Sequence, residues 1–278
     1  MRQIIFEERL KSKEIVELEQ TITEARNKST AIVELHTDEE IVIPAKKGDA
    51  LVSFVFSYME NLNKKYSGGP KPANPFLPPF ETGLFITDLS PDYRLLFNKF
   101  AVVKRHVLIV TSAFEEQNSP LNRKDFAQGY KVLLAVNGFC FYNSGPCSGA
   151  SQPHKHLQVM SKFKEDNTGI MTLINNEARQ HEGPFKWSVF EFAHLIAPLP
   201  VFDRNENYDE IGAKLEGLYL EMIKALGINT KLDSYNFIMN ENWMMIVKRA
   251  REYTFENISV NSLGFLGNVS SGEILLIR

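Results

Sequence analysis

The sequence predicts an α+β protein built around an antiparallel sheet, and three observations carry that expectation. Residues Tyr93 to Thr111 read as two apolar strands around a polar turn at Lys104-Arg105. Asp125 to Val136 has the charged start and apolar spacing of a helix, and Phe139 to Tyr142 then reads as a short strand. A loop of small residues leads from there into a further strand over residues 154 to 160. Strand, helix, strand, loop and strand is the order expected of such a core.

Ahead of that core, residues 4 to 27 place Ile15, Leu18 and Ile22 on one stripe, which predicts a packing helix. Alternation near Ala31 to Leu35 and Ile41 to Pro44 predicts a hairpin with Asp38-Glu39 near its turn, and a helix is expected over Asp49 to Lys65. Ser67 to Phe80 is rich in Pro and Gly and has the composition of a linker. Phe76 and Phe80 are costly to leave in water, so this loop is expected to fold over a cleft, with Asn74 and Phe76 as ligand contacts. Beyond the core, Tyr235 to Val247 echoes Tyr93 to Val110 too weakly to establish a repeat.

The 278 residues, 44% hydrophobic and 23% charged, suffice for one large domain or two small ones. A formal net charge of −3 supplies no global basic field for nucleic acid. The two cysteines have no spacing that suggests a disulfide framework, which fits a reducing compartment. The start of the chain turns acidic without an apolar core segment, and no stretch approaches the roughly 20 apolar residues that span a bilayer. A cytoplasmic, membrane-free protein is the expectation. P-loop, His-Glu-x-x-His and Gly-x-Ser-x-Gly motifs are absent from the sequence, and the isolated His181 and His194 are assigned no role.

The chemistry concentrates in Asn143-Ser-Gly-Pro-Cys-Ser-Gly-Ala-Ser-Gln-Pro-His-Lys-His-Leu-Gln-Val-Met160. Strand residues two apart share a face, so His154, His156, Gln158 and Met160 project together, while Lys155, Leu157 and Val159 take the other face. Pro153 suits the first position of such a strand. Gly145, Pro146, Ser148, Gly149 and Ser151 form a loop that can approach a ligand closely and offer amides and hydroxyls to anionic oxygens. A His-x-His pair alone fits a metal site or a packed core equally well. Zinc would ask for further ligands, and no Cys-x-x-Cys accompanies Cys140 and Cys147.

An imidazole attacks phosphorus well and leaves readily from the phosphoramidate, dividing one hard substitution into two easier ones. His156, central in the row, is the candidate nucleophile, and His154 orients the site or bonds the substrate. The nucleophile's second ring nitrogen must keep its proton, which a backbone carbonyl can accept. Asn143, Ser144, Gly149, Ser151, Gln152 and the loop amides are expected to bind substrate and stabilise charge on its non-bridging oxygens. Gln158 donates a hydrogen bond but cannot deliver a proton, so the site favours polyphosphate leaving groups and anionic acceptors over hydrolysis.

These residues resemble the transferase branch of the histidine-triad superfamily, in which glutamine replaces the third histidine. Asn143, Ser151, His154, His156 and Gln158 occupy the family's places. Ser-Gly-Ala-Ser-Gln-Pro-His-Lys-His-Leu-Gln is similar to diadenosine tetraphosphate phosphorylases, also called ATP adenylyltransferases. Galactose-1-phosphate uridylyltransferases usually carry His-Pro-His-Gly-Gln there. Tyr93 to Thr111 is similar to the family's nucleotide-binding hairpin, which implies that Asn98 contacts the ribose region and that His106 sits near the catalytic strand. Ser234 to Arg249 and Ile258 to Gly267 resemble the C-terminal part of the same enzymes. The resemblance implies a single histidine-triad-like catalytic domain: an extension over 1–80, a catalytic core over 81–165, and a C-terminal sheet extension over 185–278 that is a candidate degenerate second unit. It implies phosphorolysis of diadenosine tetraphosphate to ATP and ADP, reversibly, through an adenylylated His156; a monomer is the expectation.

A magnesium ion is expected on the substrate phosphates. Cation candidates for those phosphates are Lys46, Lys47, Lys71, Lys99, Lys155 and Lys248-Arg249-Ala-Arg251. Lys99 is favoured because it adjoins Asn98, and Lys46 because it precedes Gly48 in a turn after a strand. The alternatives are a sugar-nucleotide uridylyltransferase or dinucleoside polyphosphate hydrolase of the same superfamily, and a nucleotide sensor without turnover.

Overall fold

The computed structural model describes residues 12–34, 39–47, 50–58, 74–101, 105–161, 169–203, 205–253 and 258–271. In chain order the elements of the first half are α1 (Lys13–Lys28), β1 (Val33–Glu34), β2 (Glu39–Lys47), β3 (Ala50–Tyr58), β4 (Phe85–Ser90), β5 (Tyr93–Phe97), β6 (Phe100–Ala101), β7 (His106–Thr111), α2 (Arg123–Val136), β8 (Gly138–Ser144) and β9 (His156–Ser161). The second half adds α3 (Ile170–Ala178), β10 (His194–Pro198), α4 (Tyr208–Ala225), β11 (Ser234–Met239), β12 (Trp243–Arg249) and β13 (Asn268–Ser271).

Eight strands make one antiparallel sheet in the order β10-β12-β11-β8-β9-β7-β5-β4. The centre, β8, is buried along its whole length because both faces of the sheet are covered. One face carries Leu95, Val107, Ile109, Tyr142, Leu157, Val159, Phe237 and Ile246 against α1, α2 and α4. The other is split between an apolar cluster around Trp243, Phe139, Met160 and α3, and a smaller one in which Phe76 and Phe80 lie over Leu96, Leu108 and Val110. The candidate site lies on this second face.

Segment β7-α2-β8-β9 and segment β10-α4-β11-β12 share one order of elements, and they meet where β8 pairs with β11. The C-terminal strands therefore extend the core sheet instead of forming a separate one. Helices α2 and α4 cross at Gly212, where a Cβ would come 2.2 Å from Arg123 O, so only glycine admits this close approach. Helix α2 is fixed at its start by a capping box, Asn122 accepting from Lys124 N and Asp125 N while Asp125 Oδ2 accepts from Asn122 N.

The expected stripe of α1 is buried at Ile15, Leu18 and Ile22, and residues 4–11 lie outside the described residues. Two expectations for the N-terminal region are corrected. The hairpin joins β2 to β3, whereas β1 pairs in parallel with β6. The helix expected over Asp49 to Lys65 is strand β3 across Ala50–Tyr58, and the rest of that range lies outside the described residues. Val52, Phe54, Val55 and Phe56 explain the change: β-branched and aromatic side chains fit a pleated surface, and β3 finds partners in β2 and β13. Lys46 consequently sits within β2 opposite Leu51, with an exposed side chain, instead of in a turn. Gly48 and Lys71 lie outside the described residues. No helix among the described residues is long and apolar enough to cross a membrane.

Candidate active site

Strand β9 presents the expected row. His156 Nδ1 lies 2.8 Å from the carbonyl oxygen of His154. A carbonyl only accepts, so Nδ1 carries the proton and the lone pair resides on Nε2. His154 is held at both ring nitrogens: Nε2 lies 2.9 Å from Thr111 O, and Nδ1 lies 3.0 Å from Asn74 Nδ2. Burial pushes its pKa below the ordinary 6.5 and keeps the ring neutral, outweighing the hydrogen bond to Thr111. Phe76 caps the pair, its ring centroid 4.9 Å from His156 and 5.9 Å from His154. The Pro-rich loop thus folds over the site at Asn74 and Phe76.

On the neighbouring strand, His106 Nε2 lies 2.9 Å from Gln158 Oε1. A donor there fixes the carboxamide, turning its NH₂ away from His106; that NH₂ has no hydrogen-bond partner among the described residues. Asn98 in turn faces His106, its Nδ2 3.1 Å from Nε2 and 3.4 Å from Nδ1, and its Oδ1 accepts from Phe100 N. Asn98 is therefore engaged with the histidine that holds Gln158.

Asn143 and its surroundings draw on the C-terminal half. Its Oδ1 accepts from Asn236 Nδ2 at 2.7 Å, Ser262 Oγ at 2.7 Å and Ser262 N at 3.1 Å. Its own NH₂ finds no partner among the described residues. Arg249 donates to Asn236 Oδ1 at 2.6 Å and to Val260 O at 2.6 Å, so it secures this network. The small-residue loop is seated on the same half: Cys147 N donates to Ser234 Oγ, and Gly149, at φ +78°, has Asn261 where a Cβ would be. Ser151 is exposed and Gln152 half-buried, and neither side chain has a hydrogen-bond partner among the described residues.

Between β8 and β9 the ladder runs from Gly138 opposite Ser161 to Phe141 opposite Gln158 and stops. The next row in register, Tyr142 opposite Leu157, is unpaired, and so is the one after it, which would set Asn143 opposite His156. In its place lies the buried carboxamide of Gln117, whose Oε1 accepts from His156 N at 2.9 Å while its Nε2 reaches Asn143 O at 2.9 Å and His156 O at 3.3 Å.

Two contact or cation candidates, Ser144 and Lys155, lie away from the cleft. Ser144 is a correction: alternation along β8 puts it on the helix face, fully buried opposite Tyr235, while Asn143 faces the site. Lys155 is another: its ammonium is buried behind the strand, 2.7 Å from Asp125 Oδ2, 3.2 Å from Pro120 O and 3.3 Å from Glu115 Oε2, so it cannot reach a phosphate. Lys99 forms a surface ion pair with Glu81 at 2.8 Å, and Lys248 pairs with Asp233. Among residues not singled out by sequence, Gln117 carried no motif, whereas Asn236 and Ser262 lie inside the C-terminal blocks that resemble the family. Among the described residues, no three His, Cys, Asp or Glu side chains converge to hold a metal ion.

The family model described as the Ap4A phosphorylase N-terminal domain matches residues 6–175, and that of the ATP adenylyltransferase C-terminal domain matches residues 188–273. The chain is 29% identical over 243 residues to Protein APA1 of Saccharomyces cerevisiae, covering 78% of this chain and 74% of that protein. It is 30% identical over 230 residues to the diadenosine tetraphosphate phosphorylase 2 of the same organism, covering 72% and 69%. Its fold is similar to the crystal structure of yeast Ap4A phosphorylase Apa2, with a TM-score of 0.70 at 25% identity over 92% of this chain and 90% of that one. The complex of Apa2 with AMP gives 0.74 at 24% identity over 95% and 90%.

Proposed function

The chain belongs to the Ap4A phosphorylase family, and from that premise we propose that it converts diadenosine tetraphosphate and phosphate into ATP and ADP, reversibly, through an adenylylated His156. The observation that carries this reading is the contact of His156 Nδ1 with its own strand's carbonyl, which leaves Nε2 as the nucleophilic nitrogen.

In the first half-reaction Nε2 bonds to the phosphorus nearest one adenosine, the bridging P–O bond breaks, and ATP departs as an anion that needs no proton. Nδ1 keeps its proton throughout, donating it in a hydrogen bond to the His154 carbonyl. In the second, a phosphate oxygen attacks the same phosphorus, the N–P bond breaks, and ADP forms with His156 restored. The carboxamides of Gln158 and Asn143, together with Ser151, Gln152 and the amides around Gly149, donate to the non-bridging oxygens as charge develops there. His154 positions the nucleophile's strand through Thr111 and Asn74. Asn98 acts through His106, and Lys46 and Lys99 serve the distal phosphates from exposed positions. The divalent cation, magnesium in this reading, is carried by the substrate's own phosphate oxygens. The whole chain works as one catalytic unit, in which the C-terminal half orients Asn143 and seats the phosphate loop.

Product analysis after mixing the protein with diadenosine tetraphosphate and magnesium, with and without phosphate, tests the reaction. ATP plus ADP formed only with phosphate, and only with His156 intact, is the expected result. AMP plus ATP, or ADP alone, formed without phosphate would mark a hydrolase and overturn it.

A further inference from the structure

We propose that Gln117 is a positioning residue for the nucleophile: its carboxamide replaces the missing rung of the sheet between Asn143 and His156 and sets the gap in which the transferred phosphoryl group sits. The inference rests on His156 as the attacking residue.

Three facts lead there. The ladder joining β8 to β9 ends at Phe141 and Gln158, two rows before Asn143 and His156. Of the four backbone groups that the missing pair would have satisfied, His156 N, His156 O and Asn143 O are met by one side chain. That side chain is itself fixed, because Gln117 N donates to Pro153 O at 2.8 Å and Gln117 O accepts from the Tyr142 hydroxyl. Gln117 is only 5% exposed, so the carboxamide takes the place of a strand without exchange with water.

The geometric consequence is specific. Adjacent strands normally lie about 4.8 Å apart, which would set Asn143 and His156 side by side on one face. A carboxamide interposed between their backbones holds the two strands apart at this row, while the pairs from Gly138 to Phe141 remain closed. The Asn143 amide and the His156 imidazole then flank an opening instead of touching. Gln158, on the last closed pair, sits at its floor. Nucleophile on one wall and donor on the other is the separation that a tetrahedral phosphorus with its oxygens requires. Displacing a reacting atom by about 1 Å can cost about 100-fold in rate, so a change of spacing here is read in kcat.

Gln117→Met keeps the length of the side chain and removes every hydrogen bond. It is expected to lower kcat for phosphorolysis about 100-fold while leaving KM for diadenosine tetraphosphate within about threefold, because the groups that bind the nucleosides are untouched. Gln117→Glu supplies a second readout that a structural role alone would not produce. Ionised, it sets an acceptor against the carbonyls of Asn143 and His156; protonated, its O–H replaces the lost donor. A buried carboxyl facing carbonyls is protonated more readily than a free one, so the kcat of this variant, divided by that of the unaltered protein, should rise as pH falls. Both are measured on folded protein, below its melting temperature, beside His156→Ala. Kinetic constants within threefold of the unaltered protein for Gln117→Met, or a pH-independent ratio for Gln117→Glu, would overturn the proposal. Turnover that survives His156→Ala would instead overturn the nucleophile on which it rests.

Discussion

The two faces of the extended segment that runs from His154 into β9 are built on opposite principles. Toward the cleft, His154, His156 and Gln158 are polar groups held by their neighbours: Thr111 and Asn74 engage both ring nitrogens of His154, the His154 carbonyl accepts from His156 Nδ1, and His106 faces the Gln158 carboxamide oxygen. Toward the helices, Lys155 is a full charge with every direction closed, gripped by Asp125, Glu115 and Pro120 O, while Asp125 also accepts from Tyr93. Burial alone would raise the Asp125 pKa, and the ammonium beside it opposes that shift. The same strand thus keeps its front poised and its back locked. A cation next to candidate catalytic residues in sequence can therefore be a structural anchor, because successive side chains of an extended chain point to opposite faces.

The comparison breaks most visibly at His156. His156→Ala is expected to lower kcat by about 1,000-fold or more, since no second group can take the adenylyl group, with little change in melting temperature. On the back of the strand the balance inverts. Lys155→Met leaves Asp125 buried without its cation and should cost about 3–5 kcal/mol of stability, while kcat of the folded fraction changes less than tenfold. Thermal melts and assays on the same preparations check both. Replacing Lys155 by Met and Asp125 by Leu together should recover much of that stability, because no charge is then stranded.

Gln158→Ala sharpens the front face, removing one donor to the developing charge, and should lower kcat about 100-fold with KM little changed. The smallest effect concerns pH. Burial lowers the pKa values of His154 and His194 below the ordinary 6.5. The unfolded chain therefore binds protons there before the folded chain does, and stability present above pH 6.5 is lost as pH falls through that value. Melting temperatures followed from pH 8 to pH 5 should decline below about 6.5, and His194→Asn should flatten part of that decline without altering phosphorolysis.

Much of the front face was legible in the sequence, because a strand of period two obliges His154, His156 and Gln158 to share a side. The carbonyl that fixes the His156 tautomer follows from the same chemistry. The fold of the core was legible for the same reason: helix, strand and turn signals from Tyr93 to Met160 agree with their tertiary setting. Strand β3 was not, since its apolar run suits a helix or a strand until its partners β2 and β13 are known. Lys155 was misread because nothing local announces that Asp125, 30 residues earlier in the chain, waits behind it. Gln117 was invisible: its role exists only where two strands part, and sequence does not report where a ladder ends. Asn236 and Ser262 reach Asn143 from 93 and 119 residues away, contacts that only the closed sheet creates.

The most direct test of the central claim is to trap the intermediate. Protein mixed with diadenosine tetraphosphate in the absence of phosphate is quenched, digested at high pH to preserve the phosphoramidate, and mapped by mass spectrometry. An adenylyl group on His156, formed with release of ATP and discharged to ADP when phosphate is added, is the result this account predicts. No adduct during turnover, or an adduct on His154 or another residue that phosphate discharges just as fast, would contradict it.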